Sequence, residues 1–231
     1  MMRLGMAAVL SFFAGTIPVL EQPASDEGSV SLARERLSIA GVRIESVRHR
    51  DRDAIRLIEA DDTRVSGIAI VQGVSFRDGV IEIDVAGQRG PYALPEDRGF
   101  IGVAFRVSRG GDRFEYVYLR PENGRADDQV RRNHSAQYAS YPDFPWQRMR
   151  KEFPERYETY VDLEPGAWTP MRVEVSGARA RLFVHGAKEP TLLVDDLKLG
   201  EAEGGVALWI GAGTEGFFSN LRVLPSGASA K

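Results

Sequence analysis

The sequence predicts an all-β domain whose antiparallel strands form a sandwich or a barrel. From about Val42 onward the apolar runs are short, and they either alternate with polar residues or are rich in β-branched residues. Turn residues bound most of these runs, and no long helical period interrupts them. With 231 residues, 43% of them apolar, the chain can bury the core of one such domain.

The composition excludes several functional classes. The chain has 30 Lys and Arg against 33 Asp and Glu, for a net charge of −3, and this balance argues against a general nucleic-acid binder. It has no Cys, which excludes a disulfide framework, a thiolate zinc cluster and a Cys nucleophile. Stability must therefore come from the packed core.

The first element is a predicted secretory signal peptide, residues 1–24. Arg3 precedes an apolar stretch that runs to Leu20, and a polar run follows. The stretch is too short and too interrupted for a membrane span, so we expect a mature chain without one. The alternative is an uncleaved N-terminal anchor. We predict a secreted or periplasmic protein with an N-terminal segment at 25–41, a main domain at 42–224 and a tail at 225–231.

Eleven strands follow, most of them separated by hairpin-type turns such as 77–79, 109–112 and 176–178. The predicted strands are residues 42–47, 54–60, 67–74, 80–86, 100–108, 114–120, 171–176, 180–185, 191–194, 206–210 and 217–224.

Alternation within these strands assigns a buried and an open face. In the fourth strand Ile81 and Ile83 share one face, and Glu82 and Asp84 share the other. The open faces, which also carry Arg106 and Tyr118, form a polar surface for a ligand. The residues expected in the core are Ile81, Ile83, Val103, Phe105, Val117, Leu119, Val173, Val175, Leu208 and Ile210.

The long connection 121–160 interrupts the β pattern. It carries four of the seven Tyr, Trp146 and one of the three His. Connections of this length inside a compact domain are uncommon and often functional. The segment is either a structural lid anchored by its rings or a sugar-stacking platform, in which Tyr141 and Trp146 stack and Arg125 and Arg132 bind hydroxyls or carboxylates.

Several blocks resemble the secreted concanavalin A-like jelly rolls related to the 3-keto-disaccharide hydrolase domain. They are 116–128, which contains Asn-Gly-Arg-Ala-Asp-Asp, the run Arg-Asn-His-Ser at 132–135, and the closing block 208–223. The resemblance covers about residues 42–223. It implies an antiparallel β-sandwich of the jelly-roll type with a long loop and short-helix insertion, and a carbohydrate partner. The closing block is typical of the whole superfamily and implies the fold rather than the function.

One mechanism found on this fold is disfavoured by the sequence. Glucanases carry three carboxylates on one strand as E-x-D-x-E or E-x-D-x-x-E. Here Glu82 and Asp84 match the first two, but Ala86 and Gly87 stand in the third place. We therefore expect Glu82 and Asp84 to be polar surface groups or to pair with Arg106.

The candidate catalytic residues are His134, Asp128 and Tyr138. A His can act as a general base or acid near neutral pH. Asp127, Asp128 and His134 match no metal-ligand spacing, and the Asp pair after Asn-Gly is typical of a turn. No metal site and no cofactor is predicted, although the resemblance allows a structural calcium ion.

These observations predict an exported carbohydrate-active protein. The first hypothesis is a glycoside hydrolase or lyase, acting on a 3-keto or related glycoside, with His134 or Tyr138 as base and Arg125 or Arg132 holding the oxyanion. The second is a non-catalytic, lectin-like module, and the third is a structural envelope protein without a ligand. Under the first two hypotheses, seven residues of segment 121–160 should lie close to Glu82, Asp84, Arg106 or Tyr118. They are Arg125, Asp128, Arg132, His134, Tyr138, Tyr141 and Trp146.

Overall fold

The chain folds into two antiparallel sheets of seven strands each, packed face to face, in a computed structural model that describes residues 27–61 and 64–227. The strands are β1 (Leu37–Ala40), β2 (Val42–His49), β3 (Arg52–Glu59), β4 (Gly67–Val71), β5 (Gly79–Arg89), β6 (Ile101–Val107), β7 (Phe114–Leu119), β8 (Ala136–Tyr141), β9 (Glu158–Thr159), β10 (Thr169–Ser176), β11 (Arg179–Val184), β12 (Leu192–Val194), β13 (Gly205–Ile210) and β14 (Thr214–Pro225). The helices are a 3-10 turn (Arg34–Arg36), α1 (Pro121–Gly124), α2 (Gln129–Asn133) and α3 (Trp146–Glu152).

Sheet I has the strand order β1-β4-β13-β6-β7-β8-β9, and sheet II has the order β12-β11-β10-β5-β14-β3-β2. The predicted class, an antiparallel β-sandwich, is confirmed. The predicted signal peptide, residues 1–24, lies outside the described residues. None of the helices in the described ranges has the length and apolarity that a membrane crossing needs.

The core lies between the two sheets and is built by the predicted alternation. All ten residues expected in the core are buried, and none is more than 3% exposed. Because successive side chains point to opposite faces, each sheet also presents an outer face, formed by the other half of its residues. The two outer faces differ in chemistry, and the candidate site lies on one of them.

Two parts of the sandwich were not expected from the sequence. Strand β1 precedes the predicted domain start at residue 42 and pairs with β4, Leu37 opposite Val71. Segment 121–160 is not one long loop, because it contains β8 and β9 as well as the three short helices. In β8 the residues Ala136 and Tyr138 are buried in the core, but the strand also contains Ala, Ser and Gln, whose weak hydrophobic contrast hides the alternation.

Arg106 sits at an irregularity in β6, with a φ of +53°, beside a register shift in its pairing with β13. Its side chain is fully buried and donates to the carbonyl oxygens of Arg77 at 3.0 Å, Gly177 at 2.6 Å and Gly200. It also donates to Oδ1 of Asp78 at 3.1 Å. The predicted ligand-binding role of Arg106 is therefore wrong, since its donors are spent on loops at one end of the sandwich.

Candidate functional site

The two outer faces divide the predicted site residues. Glu82 and Asp84 lie on the outer face of sheet II, where Arg222 donates to Glu82 at 2.7 Å and Arg52 donates to Asp84 at 2.5 Å. Segment 121–160 supplies β8 and β9 to sheet I. The segment was expected to converge near Glu82, Asp84, Arg106 or Tyr118. For Glu82, Asp84 and Arg106 this is wrong, because they belong to other parts of the sandwich, whereas β8 of the segment pairs with β7, the strand of Tyr118.

The outer face of sheet I is floored by aromatic rings. Strand β6 contributes only small side chains at its centre, Gly102 and Ala104, which lie between β13 and β7. The rings of Tyr116 and Tyr118 from β7 each lie 4.9 Å from the ring of Trp209 on β13, measured between centroids. A Cβ on Gly102 would meet the carbonyl oxygen of Val117 at 2.1 Å, so only glycine fits at this position between β13 and β7.

A groove of about 540 Å³ runs over this floor. We call it the aromatic groove; Trp209, Tyr116 and Phe114 line its base, and Tyr141 and Trp146 line one wall. Tyr141 stacks on Phe114 with centroids 5.0 Å apart. Tyr141 is 46% exposed and Trp146 is 41% exposed, and because both line this one groove they form an exposed apolar patch, a feature of binding surfaces.

The groove keeps hydrogen-bonding groups unused. Within the described part of the chain, the hydroxyls of Tyr116 and Tyr141 make no hydrogen bond to protein, and neither does the indole N–H of Trp209. Burial, followed by the neighbouring Tyr118, raises the pKa of Tyr116 far above its usual range, so its phenol stays protonated and can donate. Among the described residues that line the groove there is no carboxylate and no imidazole.

Next to the aromatic floor lies a buried polar cluster around Glu158. Arg120 donates to Glu158 Oε1 at 3.2 Å and to the Tyr118 hydroxyl at 2.8 Å, while Arg150 donates to both Glu158 oxygens, at 2.6 and 2.9 Å. Gln137 accepts from Tyr118 at 2.6 Å and from Arg120. Burial would raise the pKa of Glu158, but Arg150 and Arg120 outweigh it and hold that pKa below its ordinary value.

His134 lies at the edge of this cluster, with Nδ1 3.1 Å from Glu158 Oε2. Its ring lines a second cavity, of about 330 Å³, together with Tyr160. Burial lowers the pKa of His134. The charge of Glu158 would raise this pKa, but Arg150 and Arg120 lower it further, and the net pKa lies below its ordinary value. The imidazole is therefore neutral at neutral pH and can serve as a hydrogen-bonding or basic group.

The other two candidate catalytic residues are not brought to His134. Tyr138 is fully buried in the core between the sheets, where it donates to Glu115 at 2.7 Å and accepts from the backbone N–H of Lys198 at 2.8 Å. Asp128 is exposed and caps α2 by accepting from the backbone N–H of Arg131 at 2.9 Å. The catalytic roles predicted for both do not fit these positions.

The two candidate arginines also lie apart from the aromatic groove. Arg125 is exposed and pairs with Asp162 and Glu164, each at 2.9 Å. Arg132 donates to the Tyr160 hydroxyl at 2.9 Å and stacks over that ring. Only Tyr118, Tyr141 and Trp146 of the predicted set lie on the outer face of sheet I, and His134 adjoins them through Glu158.

No metal group is formed by the candidate ligands. In the ranges that the structure describes, no three His, Asp or Glu side chains lie close enough together to hold an ion, and this includes Asp127, Asp128 and His134.

Sequence reasoning missed Trp209, Glu158, Arg120 and Arg150. The alternation of Phe114, Tyr116, Tyr118 and Arg120 marked one face of β7 as rich in rings, and this signal was sound. Trp209 was visible only as part of a fold motif, because nothing in the sequence places β13 two strands from β7.

No family model matches this sequence, and no curated protein matches it. The fold is similar to solved structures. The carbohydrate binding module CBM66 from Bacillus subtilis has a TM-score of 0.57 at 10% identity, over 80% of this chain and 93% of its own. The exoplasmic/lumenal domain of VIP36, solved with Ca²⁺ and Man3GlcNAc, has a TM-score of 0.54 at 12% identity, over 90% and 92%.

A protein of unknown function with a galectin-like fold from Bacillus subtilis has a TM-score of 0.55 at 12% identity, over 82% of this chain and 89% of its own. At such identities the likeness shows the fold alone. The antiparallel sandwich is thus one that lectin-like and carbohydrate-binding proteins share.

Proposed function

We propose that this protein is an exported, non-catalytic glycan-binding protein and that the aromatic groove is its binding site. The observation that carries the proposal is the exposure of Tyr141 and Trp146 beside a ring-lined groove. The flat apolar face of a sugar ring stacks on such side chains, while its hydroxyls bond to polar groups at the ring edges. The unused hydroxyls of Tyr116 and Tyr141 and the N–H of Trp209 supply those polar groups.

The described lining of the groove favours binding over catalysis. Glycoside hydrolysis uses a pair of carboxyl groups about 5 to 10 Å apart, one of them acting as the acid. No carboxylate is present among the described lining residues. The solved carbohydrate binding module and the glycan-bound lumenal domain support the same class, since both share this sandwich.

A second candidate function, hydrolysis or elimination at a glycoside, including a 3-keto glycoside, is favoured by one observation. His134 is placed beside Glu158 at the second cavity. A neutral His beside a carboxylate is found in many general bases, although the buried Nδ1 of His134 makes no hydrogen bond to Glu158 here. In that case Tyr160, which also lines the cavity, would contact the substrate.

A glycan array followed by calorimetry tests the proposal. We expect oligosaccharide binding that Trp146→Ala weakens at least about tenfold, as is typical when a central aromatic contact is removed. Leu193→Ala is the matched control, since Leu193 is a 54% exposed apolar side chain on sheet II. Unchanged binding by the Trp146 variant would refute the site.

A sugar-release screen on ordinary and 3-keto glycosides separates the two candidates. We expect binding without turnover. Turnover that His134→Ala removes, while Trp146→Ala leaves it intact, would establish the enzyme instead.

A further inference from the structure

Two arginines lie side by side at one end of the sandwich, and a third, on α2, contacts the backbone that bonds to one of them. Arg89 donates to the carbonyl oxygens of Pro95 at 2.9 Å and of Asp97 at 3.1 Å. Arg98 donates to the same two oxygens, at 2.7 and 2.9 Å. Two guanidinium groups that share two carbonyl oxygens must lie side by side.

Arg131 joins them from α2. Its Nη2 lies 3.4 Å from the carbonyl oxygen of Glu122, whose backbone N–H donates to the carbonyl oxygen of Arg98 at 3.2 Å. The Nε of Arg131 is buried and has no hydrogen-bond partner. We call Arg89, Arg98 and Arg131 the arginine triad.

The charge of the triad is not balanced by the protein. Within the described residues none of the three guanidinium groups forms an ion pair. The carboxylate of Asp97, which precedes Arg98 in the chain, is already bound by Arg64 at 2.8 and 3.1 Å and by the backbone N–H of Leu94. The pKa of Arg98 is lowered, first by burial and then by the charges of Arg131 and Arg89. The carboxylates of Asp97 and Glu122 would raise this pKa but do not outweigh these effects.

The triad keeps donors free. Each guanidinium has five N–H groups, and the contacts above use only one or two of them. The planar fork of Arg matches the oxygens of a carboxylate or a sulfate, and bonds to such anions are among the strongest available in proteins. An oxyanion bound here would reduce the repulsion between the guanidinium groups and accept hydrogen bonds from N–H groups that have no protein acceptor.

A chain of ring contacts leads from the groove toward the triad. The ring of Tyr118 lies 4.9 Å from Trp209 at the base of the aromatic groove. The ring of Phe100, two residues from Arg98, lies 6.4 Å from that of Tyr118. A glycan that reaches the triad must therefore extend beyond the groove, past Tyr118 and Phe100.

We infer that the arginine triad is an oxyanion site and that the glycan bound in the aromatic groove is acidic, carrying a carboxylate or a sulfate that the triad receives. The site itself follows from the triad, whereas the sugar as carrier of the anion rests on the proposed function. Inorganic sulfate offers the same chemistry without the sugar.

The test compares a sulfated oligosaccharide, a uronate oligosaccharide, their neutral counterpart and inorganic sulfate by calorimetry. We expect at least one acidic sugar to bind about tenfold more tightly than the neutral one at low salt, with a smaller difference in high salt. Arg131→Ala should remove this preference and leave neutral binding unchanged. The control Arg181→Ala, an exposed arginine on β11, should keep it.

The variants separate the two proposals. If Trp146→Ala loses both sugars and Arg131→Ala loses only the acidic preference, both proposals hold. If the neutral sugar binds in the groove and acid adds nothing, the oxyanion site is wrong and the glycan proposal stands. If only sulfate raises the melting temperature, and only with Arg131 present, the site stands and the glycan as carrier is wrong.

We expect Arg131→Ala to change ligand binding without destabilising the fold. Arg131 has one long contact to a carbonyl oxygen, so its replacement removes repulsion and should not lower the melting temperature of the free protein. Arg98→Ala, which also frees two carbonyl oxygens, is a second variant for the same preference.

Discussion

On the outer face of sheet II, carboxylates and guanidinium groups alternate, and the charges pair with one another: Arg52 with Asp84, and Arg222 with Glu82. On the outer face of sheet I, the corresponding positions carry rings, with one buried carboxylate, Glu158, held between two arginines.

The difference separates a solvated surface from a candidate site. Charges on an exposed face that pair among themselves leave little capacity for a ligand and contribute little to stability. Exposed rings and hydroxyls without protein partners, in contrast, leave apolar area and hydrogen-bonding groups that a ligand can use. The residues that matter for function are those whose interactions the protein leaves incomplete.

Removal of Arg120 should give the largest effect that separates the two faces. Glu158 is 3% exposed at its side chain, so Arg120→Ala removes one of its two guanidinium partners and leaves Gln137 and Tyr118 without their charged donor. We expect a loss of about 3 to 5 kcal/mol in the free energy of unfolding, measured by urea denaturation.

Arg52→Ala on sheet II is the matched control for this variant. Its side chain is 39% exposed in the pair with Asp84, and it should cost no more than about 1 kcal/mol. Similar costs on both faces would contradict the distinction between them.

Substitution at the floor of the groove should have the next largest effect. Gly102→Ala places a Cβ against the backbone of β7, which cannot move aside cheaply, so we expect a loss of about 3 kcal/mol. Gly205→Ala on the neighbouring strand is the control, since its Cβ meets only side chains at 3.5 Å and the backbone and Cβ of Val107 at 3.8 Å. Thermal unfolding measures both, and equal losses would show that the ring floor does not require a glycine.

The pH dependence of stability should give the smallest effect. The pKa of His134 is lowered in the folded state, so the unfolded chain takes up a proton first as the pH falls below about 6.5. Stability is therefore lost in this window, and the lowered pKa of Glu158 adds a further loss as the pH falls below about 4.3.

We expect a fall of about 2 °C in melting temperature between pH 7 and 5.5 that His134→Asn removes. His185→Asn is the control, since the ring of His185 contacts the carbonyl oxygen of Asp162 and not Glu158, and it should leave the slope unchanged. A slope that persists in the His134 variant would assign the proton uptake to another group.

The sequence allowed the core faces to be predicted, because β alternation is a local property. Ile81, Val103 and Leu208 are buried as the alternation required. Which strands lie side by side depends on pairings between distant segments, and no local signal encodes them. For this reason Glu82 and Tyr118 were expected on one surface and are found on opposite faces of the sandwich.

The candidate site was predictable only in part. The exposed rings of Tyr141 and Trp146 were singled out because loops rarely carry so many aromatic residues. Tyr138 is a core residue because it lies on β8, a strand that was not expected in this segment. Asp128 is a helix cap, because the segment also holds the short helix α2. The arginine triad was missed entirely, since its members come from the end of β5, the loop that follows β5, and α2.

The contacts of Arg106 bear on the cooperativity of unfolding. Its partners lie 28, 29, 71 and 94 residues away along the chain, in loops attached to strands of both sheets. No single hairpin can satisfy this guanidinium, so its bonds form only when the two sheets have already docked, and they are lost together. The side chain thus couples the loops of the two sheets, and we expect that neither sheet survives as a stable intermediate without the other.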